Sequence, residues 1–190
     1  MTPEDLKAFE REVADMYENG LIKGPIHLSG GNEEQLIEIF AGVKREDWVF
    51  STWRSHYHAL LHGIPSDRVM AEIIACRSMN LNFPEFRFFT SAIVGGILPI
   101  ALGVAAAKKR KVWAFVGDMT AKTGIFHECF WYARGHGLDL EFVVEDNGLS
   151  TNTPTQEVWG NVWEHTHRRT HYYHYKREWP HVGVGRFVQF

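Results

Sequence analysis

Two polar residues stand directly after apolar runs of strand length. Val112 to Val116 leads into Gly117-Asp118, and Leu140 to Val144 leads into Glu145-Asp146-Asn147-Gly148. Two adjacent parallel strands would bring Asp118 and Asn147 together. A carboxylate and an amide oxygen form a hard oxygen set, suited to Mg²⁺ that also takes ligands from a phosphate. Gly117 and a helix starting near Thr123 could offer backbone N–H groups to an anion. The competing reading is local: Asp118 caps its helix and Asn147-Gly148 makes a tight turn. His56 and His58 lie in a dense polar cluster, Trp53-Arg54-Ser55-His56-Tyr57-His58, and are the acid–base candidates, because imidazole titrates near neutrality. Their alternative is bridging loops by hydrogen bonds. His167, His171 and His174 fall at helical spacing i, i+4, i+7 and could bind a transition metal. The surrounding Trp and Tyr residues favour a subunit interface or an active-site rim over 156–190 instead.

The elements that must position these residues are legible from period and punctuation. Thr2-Pro3-Glu4-Asp5 is a helix start, and Leu6, Phe9, Val13, Met16 and Tyr17 predict an amphipathic helix over 3–19. A second helix is expected over 33–43, a short extended segment at 49–52, and short helices at 59–63 and 67–76. Residues 80–90, with turn residues and several Phe, are expected to be loop. The small-residue run from Ala92 to Ala107 predicts a helix over 96–108 that lies close to a neighbouring backbone. Strand, helix and strand then follow through 112–144. Near-continuous apolar strands alternating with helices predict an α/β fold, a parallel sheet with helices on both faces. In such sheets ligands bind outside the carboxyl ends of the strands, where Asp118 and Asn147 fall.

Composition narrows the function classes. The chain has 190 residues, 45% apolar and 23% charged, which suits a single domain over 1–190. A net charge of −3 points to neither nucleic acid nor an anionic membrane. Two cysteines without a spacing pattern fit a reducing compartment. No apolar run is long enough for a comfortable membrane span, and the opening MTPEDLKAFE has no hydrophobic signal core. A cytoplasmic protein is the expectation. Aromatic residues make up 14%, which points to buried rings or an aromatic interface.

Several collinear motifs carry a family resemblance. Gly117-Asp118-Met119, then the 26 residues 120–145, then Asp146-Asn147, resembles the GDG…NN motif of thiamine diphosphate enzymes. The stretch GDMTAKTGIFHE is similar to GDGAxNQGxFHE of the alpha subunits of 2-oxo acid dehydrogenase first components and acetoin dehydrogenases. Phe50 to Leu60 resembles FSTYRGHGHAL, Arg77 to Leu81 resembles GSMHL, and Ser91 to Gly103 resembles GIVGxQxPxAxG. His27-Leu28 with Gly31 to Glu33 is similar to HLxxGQEA, and Glu145 to Thr151 is also similar to the transketolase form. The resemblance spans about residues 5–155.

The resemblance implies a thiamine diphosphate-binding fold with Mg²⁺ held by Asp118, Asn147 and the carbonyl of Leu149. It implies diphosphate contacts from Gly117, Met119, Thr120 and Arg54, with Trp53 near the cofactor and Ile93, Val94 and Gly95 along its rings. His56 falls where the family places an active-site histidine. The implied reaction cleaves a carbon–carbon bond beside a carbonyl, on a 2-oxo acid with acyl transfer to a lipoyl carrier. The alternatives are ketol transfer from a ketose and a non-catalytic interaction module. The implied partner is a beta-type subunit that supplies the pyrimidine-binding domain and an activating glutamate, in a heterotetramer. Met119 departs from the last glycine of GDG, and Lys122-Thr123 replace an Asn-Gln pair.

Overall fold

A computed structural model describes residues 1–108, 110–160 and 170–190. The chain opens with α1 (Pro3–Glu18), whose capping box pairs Thr2 with Asp5 and satisfies two otherwise orphaned N–H groups. Leu6, Phe9 and Val13 turn inward at helical spacing. Next come α2 (Glu33–Phe40), β1 (Trp48–Ser51), α3 (His56–Leu61) and α4 (Ser66–Ile74). The middle of the chain holds β2 (Asn82–Phe83), β3 (Phe88–Thr90), α5 (Ile97–Lys108), β4 (Val112–Gly117) and α6 (Asp118–Ala121). It closes with α7 (Gly124–Gly135), β5 (Leu140–Asp146), β6 (Leu149–Ser150), β7 (Thr153–Pro154), α8 (Thr155–Trp159) and β8 (His171–His174).

The main sheet runs in the order β2-β3-β1-β4-β5-β8. Every pairing from β3 to β8 is parallel, and β2 returns antiparallel at the edge. The expected α/β architecture with a parallel sheet and helices on both faces is therefore the one found. From β1 the chain crosses to β3 on one side, and from β4 it crosses to β5 on the other. The carboxyl ends of β1 and β4 thus flank a topological switch point, where doubly wound sheets open a crevice.

Central strands are apolar throughout because helices cover both faces. Along β4, Trp113 and Phe115 join the core under α1 to α4, while Val112, Ala114 and Val116 join the core under α5 and α7. The strand's period of two divides one run of apolar residues between two cores.

Two expectations need correction. Residues 80–90 are not simply loop: Phe88, Phe89 and Thr90 pair in register with Val49, Phe50 and Ser51. The strand is too short to show alternation, and the 3₁₀ turn at Pro84–Phe86 with Arg87 at φ 57° masks it in the sequence. His171 and His174 lie on a strand, where residues three apart point to opposite faces. His167 lies outside the described residues. The helical spacing that would have grouped the three rings is absent from the part of the segment that is described. Among the described residues, no helix is long and apolar enough to cross a membrane.

Candidate functional site

A pocket enclosing about 600 Å³, part of it open to solvent, lies at the switch point. Thr52, Trp53 and Arg54 follow β1 and form one wall. Gly117, Asp118, Met119 and Thr120, at the junction of β4 and α6, form its floor. Glu145, Asn147 and Leu149 come from the end of β5 and the β6 turn, with Val94 opposite.

Asp118 sits at the pocket wall and is only 5% exposed. Its Oδ2 accepts a hydrogen bond from the Thr155 hydroxyl. Its Oδ1 is buried and has no hydrogen-bond partner among the described residues. Burial first, and the charge of Asp146 with it, hold this carboxyl above its ordinary range, while the Thr155 hydrogen bond and the nearby N–H groups of Asp118 and Met119 pull the other way. A buried acceptor of this kind wants a cation or a donor.

Asn147 accepts from the Leu149 N–H at 3.0 Å and donates from Nδ2 to the Tyr175 phenol oxygen at 3.0 Å. Its Oδ1 keeps a second lone pair. Asp146, the neighbouring acid, is occupied locally: it accepts from the Gly148 N–H at 2.8 Å and from Tyr172. Asn147 lines the pocket and Asp146 does not, so the amide rather than the acid beside it is placed to reach a metal there.

Gly117 has φ −77° and ψ 163° at the start of α6, and a Cβ added there would meet no described atom within 4 Å. Open space in front of a strand-to-helix junction is what an incoming anion needs. Met119 lies in right-handed helical backbone, since its φ is not positive. The glycine of the family motif is therefore not required here for conformational reasons, and the Met119 side chain turns aside so that its sulfur accepts from the Trp159 indole.

Arg54 lines the pocket, but its guanidinium is engaged at the edge. It donates to the carbonyls of Leu28 at 3.3 Å and of His181 at 3.2 and 3.1 Å. Burial, the largest cause, lowers its pKa to about 10, so it stays charged at neutral pH.

The structure gathers Trp53, Arg54, Val94, Gly117, Asp118, Met119, Thr120, Asn147 and Leu149 around one pocket. Ile93 is 71% exposed on the adjoining surface, and Gly95 is buried beneath the loop at φ 72°, close to Ile125. The structure places His56 and His58, the residues expected in an acid–base role, away from the pocket lining. Both rings are fully buried, and neither lines the pocket. His56 lies between Glu10 (3.5 Å) and the Ser78 hydroxyl (2.9 Å), deep under α1. His58 lies 3.3 Å from Glu145 and reaches the pocket only through that carboxylate.

Sequence reasoning missed Thr155, Glu145 and Tyr175 as parts of the site. Thr155 and Tyr175 are separated from their partners Asp118 and Asn147 by many residues, and only the aromatic density after residue 158 hinted at the latter.

The family model for the dehydrogenase E1 component matches residues 3–161. Pyruvate dehydrogenase E1 component subunit alpha-3, chloroplastic, of Oryza sativa subsp. japonica is 33% identical over 165 residues, covering 74% of this chain and 39% of the relative. The alpha subunit of acetoin:2,6-dichlorophenolindophenol oxidoreductase of Bacillus subtilis is 30% identical over 165 residues, covering 79% of this chain and 50% of the relative. Pyruvate dehydrogenase E1 component subunit alpha of Zymomonas mobilis is 31% identical over 169 residues, covering 80% and 48%. The chain thus spans half or less of the length of these relatives. With a family match over most of its length and the motif residues gathered at one switch-point pocket, the chain belongs to the dehydrogenase E1 component family.

Proposed function

We propose that this chain is the part of an alpha-type E1 subunit that holds the diphosphate and Mg²⁺ of thiamine diphosphate, in an enzyme that cleaves the carbon–carbon bond beside the carbonyl of a 2-oxo acid. The observation that carries the reading is the buried, unpartnered Oδ1 of Asp118 beside Asn147 at the ends of β4 and β5. The residues fit the group. Asp118, Asn147 and the Leu149 carbonyl would hold Mg²⁺, a hard set small enough to leave positions for phosphate oxygens. Among the described residues, no three His, Cys, Asp or Glu side chains cluster to hold a metal. That agrees with a site in which a cofactor phosphate completes the coordination. Thr120 and the backbone after Gly117 would take the diphosphate, and Val94 and Trp53 would pack along its rings.

When bound, thiamine diphosphate supplies a nucleophilic carbon and an electron sink for the bond being broken. The chain's own part is to neutralise the diphosphate, orient it on the ends of β4 and β5, and keep the floor of the pocket dry. A 2-oxo acid such as pyruvate follows from the names of the relatives, and the acceptor proposed is a lipoyl carrier.

The partner proposed is a beta-type chain in a heterotetramer. Its pyrimidine-binding domain and activating glutamate would complete the site. The relatives are named as alpha subunits, and apolar side chains are exposed on α5 (Ile100), on α7 (Ile125, Trp131) and on the turn before α5 (Ile93, Val94). A second reading, a non-catalytic interaction module, is favoured by one observation: the Arg54 fork is engaged by backbone carbonyls rather than open toward the pocket.

Calorimetric titration of thiamine diphosphate with Mg²⁺ into the chain co-expressed with its beta-type partner tests the reading. Saturable binding that is lost in Asp118→Ala is the expected result. A folded complex that binds nothing would overturn it and leave the interaction module.

A further inference from the structure

We infer that the segment from β8 to Tyr175 is a working part of the cofactor site, with Tyr175 as the positioning residue that orients the Asn147 amide toward the metal. The inference rests on the proposed cofactor reading and adds to it a residue outside the family match, which ends at residue 161.

The segment is held in register with the strand that carries the site. His171 to His174 pair parallel with Val143 to Asp146, and the Tyr175 N–H donates to the Asp146 carbonyl at 2.8 Å, carrying the ladder one residue further. From this rail three phenols reach three consecutive residues at the end of β5. Tyr173 donates to Glu145, Tyr172 donates to Asp146, and the Tyr175 oxygen accepts from Asn147 Nδ2 at 3.0 Å. Tyr175 is 6% exposed and is itself part of the pocket wall.

A primary amide has two unlike ends, and only the oxygen can ligate Mg²⁺. The Leu149 N–H can only donate and so selects the amide oxygen, while the Tyr175 phenol, which can donate or accept, anchors the other end of the amide and holds it in place. Here the phenol oxygen of Tyr175 takes the –NH₂, and the Leu149 N–H takes one lone pair of the oxygen. Turning the amide over would set two donors against each other at Leu149. Without the phenol oxygen, the –NH₂ loses its acceptor and only the Leu149 contact opposes rotation. Groups that orient a metal ligand typically contribute 10- to 100-fold in metal affinity.

The test compares Tyr175→Phe with the wild-type chain, both co-expressed with the beta-type partner. Thiamine diphosphate binding is followed by calorimetry across a series of Mg²⁺ concentrations. The Mg²⁺ concentration for half-maximal binding is expected to rise about tenfold or more in Tyr175→Phe, with a small fall in the melting temperature of the ligand-free complex from the lost hydrogen bond, of similar size on the Asn147→Asp background. Asn147→Asp supplies the control that a merely structural role would not pass. A carboxylate has oxygen at both ends and needs no orienting, so Tyr175→Phe on that background should shift the Mg²⁺ dependence little. Wild-type Mg²⁺ dependence in Tyr175→Phe, or an equal shift on both backgrounds, would overturn this inference while leaving the cofactor reading intact. A wild-type complex that binds no cofactor would overturn the cofactor reading and this inference with it.

Discussion

The face of the sheet under α1 to α4 and the face under α5 and α7 both bury an apolar core, yet they meet solvent differently. On the first face, several polar groups are taken inside and paired. Glu10 accepts the Ser29 N–H with both carboxylate oxygens (2.9 and 2.8 Å), Tyr57 donates to Glu33 at 3.0 Å, and His62 bonds the Phe86 carbonyl at 2.9 Å. On the second face, α5 turns Ile97, Leu98 and Ala101 inward but leaves Pro99, Ile100, Gly103, Ala106 and Ala107 outward. α7 likewise leaves Ile125, Trp131 and Tyr132 outward. A helix apolar on all sides belongs in an interior. The first face buries its apolar helices within this chain, and the second leaves apolar helix surface exposed, which is where the proposed partner would sit.

The largest effect should come from the first face. Phe115 is fully buried on β4, stacks on Phe40 at 5.2 Å and meets the His58 ring at 4.6 Å. Phe115→Ala is expected to cost about 3–5 kcal/mol, through lost transfer energy and the cavity left behind, read by urea denaturation. A loss under about 1 kcal/mol would show that this face can collapse to fill the gap, and would undo the contrast with the other.

Glu10 should rank next. Removing its carboxylate in Glu10→Ala strands the Ser29 N–H and leaves His56 without its acidic neighbour. An expected cost of about 3 kcal/mol follows from orphaning buried polar groups. Glu10→Gln keeps one acceptor oxygen and should recover part of that loss in the same denaturation series. If the two variants were equally unstable, charge on Glu10 would matter more than its hydrogen bonds.

A pH experiment sharpens the comparison at the junction of the first face and the pocket. His27 packs against His181 and Trp53, and burial first, then the charges of Arg54 and His181, push its pKa down to about 3. The unfolded chain takes up this proton near pH 6.5, whereas the folded chain does not until about 3. Stability is therefore lost as pH falls through that window. Between pH 7 and 5.5 the wild type should lose about 1 kcal/mol more than His27→Phe. His62, also lowered by burial, contributes to both proteins, and His181→Phe on both backgrounds removes the imidazole that touches His27. Identical pH slopes would mean that His27 is not held neutral by the fold.

What the sequence revealed divides along similar lines. Strands β4 and β5, the helices between them and the residues at their carboxyl ends were legible because period, strand length and motif all agreed there. β3 was not, because three residues beside a 3₁₀ turn leave no period to detect. The burial of His56 and His58 was also invisible. A histidine in a polar cluster looks the same whether it faces a cleft or a buried carboxylate such as Glu10 or Glu145. Tyr175 escaped for a related reason: its partner Asn147 is brought to it by a parallel crossover, and no local pattern encodes that pairing.

The smallest effect on the chain itself should come from the other face, and its smallness is the point. Ile100 is 44% exposed on α5. Ile100→Glu should change the stability of the isolated chain by no more than about 1 kcal/mol, since Ile100 belongs to neither buried core and Glu keeps helix propensity. In a complex the same carboxylate would lie between two apolar surfaces, where an unpaired charge is strongly disfavoured. The expected outcome is an unchanged denaturation curve with loss of the beta-type chain from co-purified material, measured by light scattering. If Ile100→Glu destabilised the isolated chain by several kcal/mol, α5 would be an interior helix of this chain alone. If the complex survived intact, the partner would bind elsewhere, and the outward residues of α5 would lose their claim to be its seat.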